Sequence, residues 1–355
     1  MGDNGEDSLQ RFERLSLSFE EAWRRNPHAC RSWDIVLAAA PTRLRVVGKT
    51  LAAYVEGPLA HLRAADSKRT PQLMIDLWDE HVAGVDGPPA SERHATGKVW
   101  PMIEQRMAAS SDGRFVSEEV RGCVTWLDRR AQRLVGLVPD AERLSLHRRG
   151  KPLQNLLGFW LADRGLFSVH AALVAQQRRA VLAPGNGGAG KSTTALSCLL
   201  AGLDYLGDDW AAVSLSAEGS FIGYALYNSA FVEPDHLQRF PLLQPHAQAA
   251  SDASETKSLL LLRSLFPERL VESAMIAAIA LPQVGSGKAT RLRRASKGEA
   301  LRQILPSTIV ALRPRAGRRQ VEQLAEMVDQ LPVWWIEIGT DLTDIPRRIA
   351  EILAT

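Results

Sequence analysis

Two groups of residues could do chemistry together. Gly185, Gly190, Lys191 and Ser192 occupy every fixed position of G-x-x-x-x-G-K-[ST], and Asp208 and Asp209 follow seventeen and eighteen residues after Lys191. Glycine at 185, 187, 188 and 190 lets the backbone turn its N–H groups inward as an anion nest, with Ala189 between the last two. A lysine at 191 reaches the β- and γ-phosphates of a nucleoside triphosphate as a mobile point charge. A serine hydroxyl at 192 is placed to ligate Mg²⁺, and Thr193 extends the nucleotide-binding set. Two adjacent carboxylates so near this lysine divide the remaining work. Side chains alternate along a strand, so one aspartate can serve the metal while the other faces an acceptor hydroxyl as general base, unless a turn intervenes.

The elements that must hold these residues are legible around them. Ala180-Val-Leu-Ala183 is an apolar run of the kind that forms a buried strand. A helix is expected over Ser192–Ala201, with Ala195, Leu196, Leu199 and Leu200 at helical spacing, Gly202 as its stop, and its positive end facing the phosphates. Upstream, Leu153, Leu156, Leu157, Trp160 and Leu161 make one stripe of a helix over Pro152–Asp163. Phe167–Val174 reads as one strand carrying His170, which is either a packed, hydrogen-bonded core residue or an imidazole that holds Asp209 and tunes its proton affinity.

With these residues in view, the chain resembles the HPr kinase/phosphorylase C-terminal fold. It looks closest to the HPr-kinase-like serine kinases associated with peptide tailoring, including those acting on lasso-peptide precursors. The shared features are His170-Ala-Ala leading into the loop, Gly-Lys191-Ser-Thr-Thr-Ala-Leu, and Tyr205-Leu-Gly-Asp208-Asp209. Leu226-Tyr-Asn-Ser-Ala230 is similar to an LY[ST]xA segment of that group, and the match is strongest over residues 150–235. The resemblance implies a catalytic base at Asp208, a role near metal and histidine for Asp209, ATP and Mg²⁺ as cofactors, and a serine of a peptide or protein as acceptor. Phe231 stands where the group often has a lysine, and Lys257 either supplies that cation or is an ordinary surface lysine. The signature tied to the phosphorylase direction is not visible. Its nearest counterpart is Gly287-Lys-Ala-Thr-Arg291, so the direction of the reaction stays open.

Composition agrees with a globular enzyme: 355 residues, 45% apolar, 23% charged, net charge +3. Cys30, Cys123 and Cys198 are too few and too scattered for a disulfide framework or a zinc site. The first twelve residues are polar and no apolar run reaches membrane-helix length, so the expected location is cytoplasmic, without a membrane partner.

The expected organisation is a disordered tail over 1–10, an α+β accessory domain over 11–148 and an α/β P-loop kinase domain with a mixed sheet over 149–355. The first domain offers strands at 34–38, 42–47, 72–78, 122–127 and 133–138, but no catalytic constellation. Gly48-Lys-Thr50 is a turn, because no glycine stands five residues before Gly48. In the second domain a hairpin is expected at 210–226, a mobile lid at 240–256, strands at 274–282 and 333–338, and a helix at 345–353. Residues 286–320 hold ten Lys or Arg and one acid, Glu299, on a helix expected to stop at Pro306. They form either a solvated face or a landing strip for an acidic peptide. Aromatic interleaving for nucleic acid is absent from them, so no nucleic-acid partner is expected. Three functions fit the chain: kinase for a peptide serine, kinase for a small-molecule hydroxyl, or nucleotide-gated binding module. Glu233, Lys257 and Arg291 are open candidates to complete the site.

Overall fold

In the first unit, hydrophobic spacing decides the architecture. A computed structural model describes residues 4–65, 69–102, 105–249, 256–311 and 317–355, and the chain divides into two compact units. The first is Met1–Gly57 with Leu62–Trp160; the second is Pro58–His61 with Leu161–Thr355. The first contains α1 (Asn4–Arg25), β1 (Cys30–Leu37), β2 (Ala40–Val47), α2 (Lys49–Leu59), β3 (Leu73–Asp79), α3 (Glu80–Ala83), β4 (Gly97–Met102), β5 (Gln105–Ser110), β6 (Phe115–Val120), β7 (Cys123–Asp128), β8 (Arg133–Val138) and α4 (Leu146–Gly150). Its eight strands run in the order β1-β2-β3-β8-β7-β6-β5-β4. Phe12, Leu15, Phe19 and Ala22 recur at helical spacing on α1 and are buried with Trp78, Phe115, Trp126 and Leu137 of the sheet. At the edge of that face Arg45 bonds both Asp76, whose side chain is fully buried, and Glu20.

Two expectations change here. The tail expected over 1–10 is helical from Asn4, because α1 has an apolar stripe to bury; residues 1–3 lie outside the described part. The division falls at Trp160/Leu161 rather than 148/149. Residues of α5 (Gln154–Asp163) bond into the first unit, with Trp160 Nε1 donating to Gln132 Oε1 at 2.7 Å and Asn155 donating to Glu118.

The second unit contains β9 (Phe167–Val169), β10 (Ala171–Gln176), β11 (Arg179–Pro184), α6 (Lys191–Leu200), β12 (Asp204–Gly207), β13 (Ala211–Leu215), β14 (Phe221–Tyr224), β15 (Ser229–Val232), α7 (Pro234–Leu237), β16 (Ser258–Leu261), β17 (Ser273–Val284), β18 (Arg291–Arg294), α8 (Lys297–Ala311), α9 (Gly317–Gln330), β19 (Val333–Ile338) and α10 (Asp344–Ala354). Its nine-stranded sheet is mixed and branches at the long strand β17. The amino-terminal part of β17 pairs with β14 and its carboxyl part with β19, while β11 runs parallel along it. Helices cover both faces. Ala195, Leu196 and Leu199 of α6 and Ile345, Ile349 and Ile352 of α10 pack on one. Ala300 and Ile304 of α8 and Leu324, Met327 and Val328 of α9 pack on the other.

Strand direction fixes where chemistry can happen. β10 is antiparallel to both β11 and β12, and β11 is parallel to β17, which is parallel to β19. The carboxyl ends of β12, β11, β17 and β19 and the amino end of β10 therefore share one edge of the sheet, the edge where α/β sheets bind ligands.

The strand expected over 167–174 is broken at His170: β9 pairs with β13, and β10 with β11 and β12. The helix expected to stop at Pro306 continues to Ala311. Ile304 and Thr308 are buried on either side of that proline, and burial outweighs the hydrogen bond it removes. The lid expected over 240–256 begins anchored, since Phe240 and Leu243 are core residues and Gln248 bridges to Leu259; 250–255 lie outside the described residues.

Much of the basic stretch has structural work. Lys297 Nζ donates to the carbonyls of Val328, Asp329 and Leu331 at 2.6–2.8 Å, closing the end of α9. Arg293 and Arg294 lie over Trp335 and Trp334, and Ser296 with Glu299 forms a capping box at the start of α8. Arg313 and Arg315 fall outside the described residues. Replacing Lys297 by Met is expected to lower stability by about 1–2 kcal/mol, since a charged helix cap is lost. Arg291→Met is expected to change it by less than about 0.5 kcal/mol, as at an ordinary surface site. Chemical denaturation of both variants checks the contrast.

Candidate functional site

The site grows from the turn between β11 and α6. β11 ends at Pro184, and the glycine-rich segment turns back into α6 at Gly190, which has φ +104° and supplies no side-chain cap. That left-handed φ is what calls for glycine; a Cβ added at Gly190 would also stand 2.3 Å from Ile338 Cδ1, the end of a side chain that can shift. Gly187 and Gly188 face open space. The Lys191 side chain folds back under the loop, its Nζ donating to the carbonyls of Gly185 (2.8 Å) and Asn186 (3.2 Å). An ammonium group, a glycine backbone open to the cleft and an uncapped helix start together favour an anion.

The carboxylates arrive from the neighbouring strand. β12 ends at Gly207, and Asp208 and Asp209 form a bend rather than continuing it. The alternation expected of a strand therefore does not apply. Both aspartates line one cleft of about 310 Å³ together with His170, Gly187, Lys191 and Ser192. Their surroundings differ. Asp208 is 2% exposed, and its Oδ2 accepts from the Phe231 N–H at 3.4 Å. Asp209 keeps 27% of its side chain exposed and meets His170 Nε2 at 2.5 Å. His170 reaches it from the break between β9 and β10, with its ring 5.7 Å from Trp210 and its backbone N–H on Thr308 Oγ1. Beneath them, burial first and then Asp208 and Asp209 hold the Tyr205 phenol well above its ordinary range. It stays neutral and donates to the Ser229 carbonyl.

The residues expected to act together are thus gathered: Gly187, Gly188, Gly190, Lys191, Ser192, Thr193, His170, Asp208 and Asp209 share the cleft. Gly185 and Ala189 are loop residues beneath it, with Ala189 Cβ close against Gly185. Glu233 and Lys257 also line the cleft and lie 4.0 Å apart as an exposed pair, whereas Arg291 does not line it.

Three lining residues escaped the sequence reading, among them Val232 of β15. His236 Nε2 meets Thr193 Oγ1 at 3.0 Å and Arg239 Nη1 at 3.4 Å; burial and then Arg239 push its imidazole below the ordinary value. Val284, at the end of β17, is the third. No motif spacing marks any of them, because each is placed by the fold and not by its neighbours in sequence.

Among the described residues no three His, Cys, Asp or Glu side chains gather into a group able to hold a metal. Ser192, Asp209 and Glu233 offer hard oxygen donors, the chemistry of a cation such as Mg²⁺ that binds through one or two carboxylates and a ligand's phosphates. Among the described residues no helix is long and apolar enough to cross a membrane.

No family model matches the chain, and no curated protein matches it. Among solved structures it is similar to the Hpr(Ser) kinase/phosphatase from Coxiella burnetii, with 12% identity over 53% of this chain and 93% of that one and a TM-score of 0.26. At that identity and score the likeness carries no weight for the site, whose chemistry rests on this chain's own residues.

Gly190→Ala is expected to cost about 1–3 kcal/mol of stability, the scale of a residue forced into an unfavourable backbone region. Gly187→Ala, with open space around it, is expected to cost about 1 kcal/mol or less. Denaturant midpoints of the two variants, measured side by side, check the difference.

Proposed function

We propose that the second unit is an ATP- and Mg²⁺-dependent kinase that transfers the γ-phosphoryl group to a hydroxyl, with a serine of a peptide or protein as acceptor. The observation that carries the reading is the convergence of the Lys191 loop and the Asp208–Asp209 bend on one cleft. A nucleotide switch without transfer chemistry would have no need of two carboxylates beside its phosphate loop.

Phosphoryl transfer is mainly positioning and neutralisation of charge. Backbone N–H groups of residues 187–192 and the Lys191 ammonium hold the triphosphate, exchanging the loop carbonyls that Lys191 now contacts for phosphate oxygens. Ser192 and Asp209, with Glu233 near, would hold Mg²⁺, which when bound neutralises the oxygens around the transferred group. Asp208, shielded from bulk water, accepts the proton from the attacking hydroxyl. His170 orients Asp209. The serine acceptor rests on the resemblance to peptide-tailoring kinases. A cleft of about 310 Å³ supports a second reading, a small-molecule hydroxyl acceptor. Phosphate transfer from labelled ATP onto separated pools of cell peptides and metabolites decides between them.

Lys191→Ala is expected to lose Mg·ATP affinity and activity together, because the ammonium group contacts phosphate before and during transfer; unchanged binding by calorimetry would contradict the loop's role. Asp208→Asn is expected to bind Mg·ATP near normally and to lose about two to four orders of magnitude in turnover. Asp209→Asn is expected instead to raise the Mg²⁺ concentration needed for half-maximal rate. Initial rates against nucleotide and against Mg²⁺ separate the two roles.

A further inference from the structure

The cleft has two ends, and only one is occupied by the chemistry above. Along the ligand-binding edge of the sheet the order is β12, β10, β11, β17, β19. Asp208 and His170 stand on one side of the glycine-rich loop, and the ends of β17 and β19 on the other. A γ-phosphate held toward Asp208 sends the rest of its nucleotide toward Val284.

That end presents an apolar side chain to the cleft. Val284 lines the cleft and is 58% exposed, so a ligand lying there would cover an apolar side chain. The ground beneath it is fixed, because the loops after β17 and β19 bond to each other. Gly285 N–H donates to Ile338 O (2.9 Å), Thr340 N–H to Gly287 O (3.0 Å) and Asp341 N–H to Lys288 O (3.0 Å). A second wall arches over the start of α6. It runs from Phe231, whose N–H meets Asp208, to His236 on Thr193 and Arg239 Nη2 on the Thr340 carbonyl (3.3 Å). His236 is held by Thr193 and Arg239, and its ring tilts against Phe240 at 5.9 Å. The cleft therefore has Val284 beyond the loop from Asp208, and the His236 imidazole held over the start of α6.

We infer that the end of the cleft between His236 and Val284 seats the heteroaromatic base of the nucleotide, with Val284 as its apolar platform and His236 as the facing wall. This rests on the nucleotide reading above and adds to it where the nucleoside lies. The phosphate loop grips any triphosphate; covering Val284 gives a nucleotide its advantage over bare phosphate.

The test compares Mg·ATP with Mg·tripolyphosphate by calorimetry on the full chain. Val284→Asn removes the apolar platform without adding charge and is expected to weaken Mg·ATP by about five- to tenfold, the value of covering one such side chain. Tripolyphosphate is expected to bind Val284→Asn within about twofold of wild type, and Val284→Leu to keep wild-type ATP affinity. Equal weakening of both ligands would show that Val284 only supports the loop, and no change in either would show that no base rests there; each overturns the inference. Lys191→Ala reports separately on the phosphate loop, since it must lose both ligands. If wild type binds neither, the nucleotide reading falls and the base seat falls with it.

Discussion

The first N–H groups of α6 have no partner inside the helix, and Gly190 provides no side chain to satisfy them. The site of the second unit is arranged about that constraint. Helix α6 is pinned to the sheet by Ala195, Leu196 and Leu199, so its start cannot turn away from the edge where four strands end. The turn into it calls for glycine, because Gly190 has φ +104°. Lys191 is carried into the same spot by the first turn of the helix and bonds to the carbonyls of Gly185 and Asn186. A helix start, an open backbone and an ammonium group are each weak attractors of anions; held together by packing they make one strong one.

The same edge brings in the acids. Because β12 is parallel to β11 and separated from it only by β10, its end delivers Asp208 and Asp209 beside the loop and not across the sheet. The bend that follows Gly207 contains both, they line one cleft, and the two carboxylates are buried to different degrees. Asp208 is enclosed and held by a backbone N–H. Asp209 is more open and lies against His170 Nε2. Identical side chains one residue apart thus differ through what surrounds them.

Much of this was legible in the sequence because it is local. The loop, its helix and the apolar run before it are encoded in about twenty adjacent residues, and α6 begins one residue from its expected start. What the sequence hid is what distant segments decide. The break at His170 follows from β9 and β10 pairing with different neighbours. The passage of α8 through Pro306 follows from a face that α9 and the sheet bury. Local charge also misleads: Lys297 and Arg294 read as a solvated or docking surface, yet one closes a helix and the other covers a tryptophan. His236 and Val284 carry no sequence signal, since their proximity to Thr193 and Gly190 arises only when α7 and β17 are in place.

The central claim is that this cleft moves the terminal phosphoryl group of a nucleotide onto a hydroxyl. The most direct measurement follows the label from ATP marked at the γ-phosphate, and separately at the α-phosphate, into peptide and metabolite pools with wild type and Asp208→Asn. The account predicts that γ-label alone enters an acid-stable phosphoester, and that Asp208→Asn slows the transfer by about two to four orders of magnitude while still binding Mg·ATP. Transfer of α-label, or equal γ-transfer by the two proteins, would contradict it.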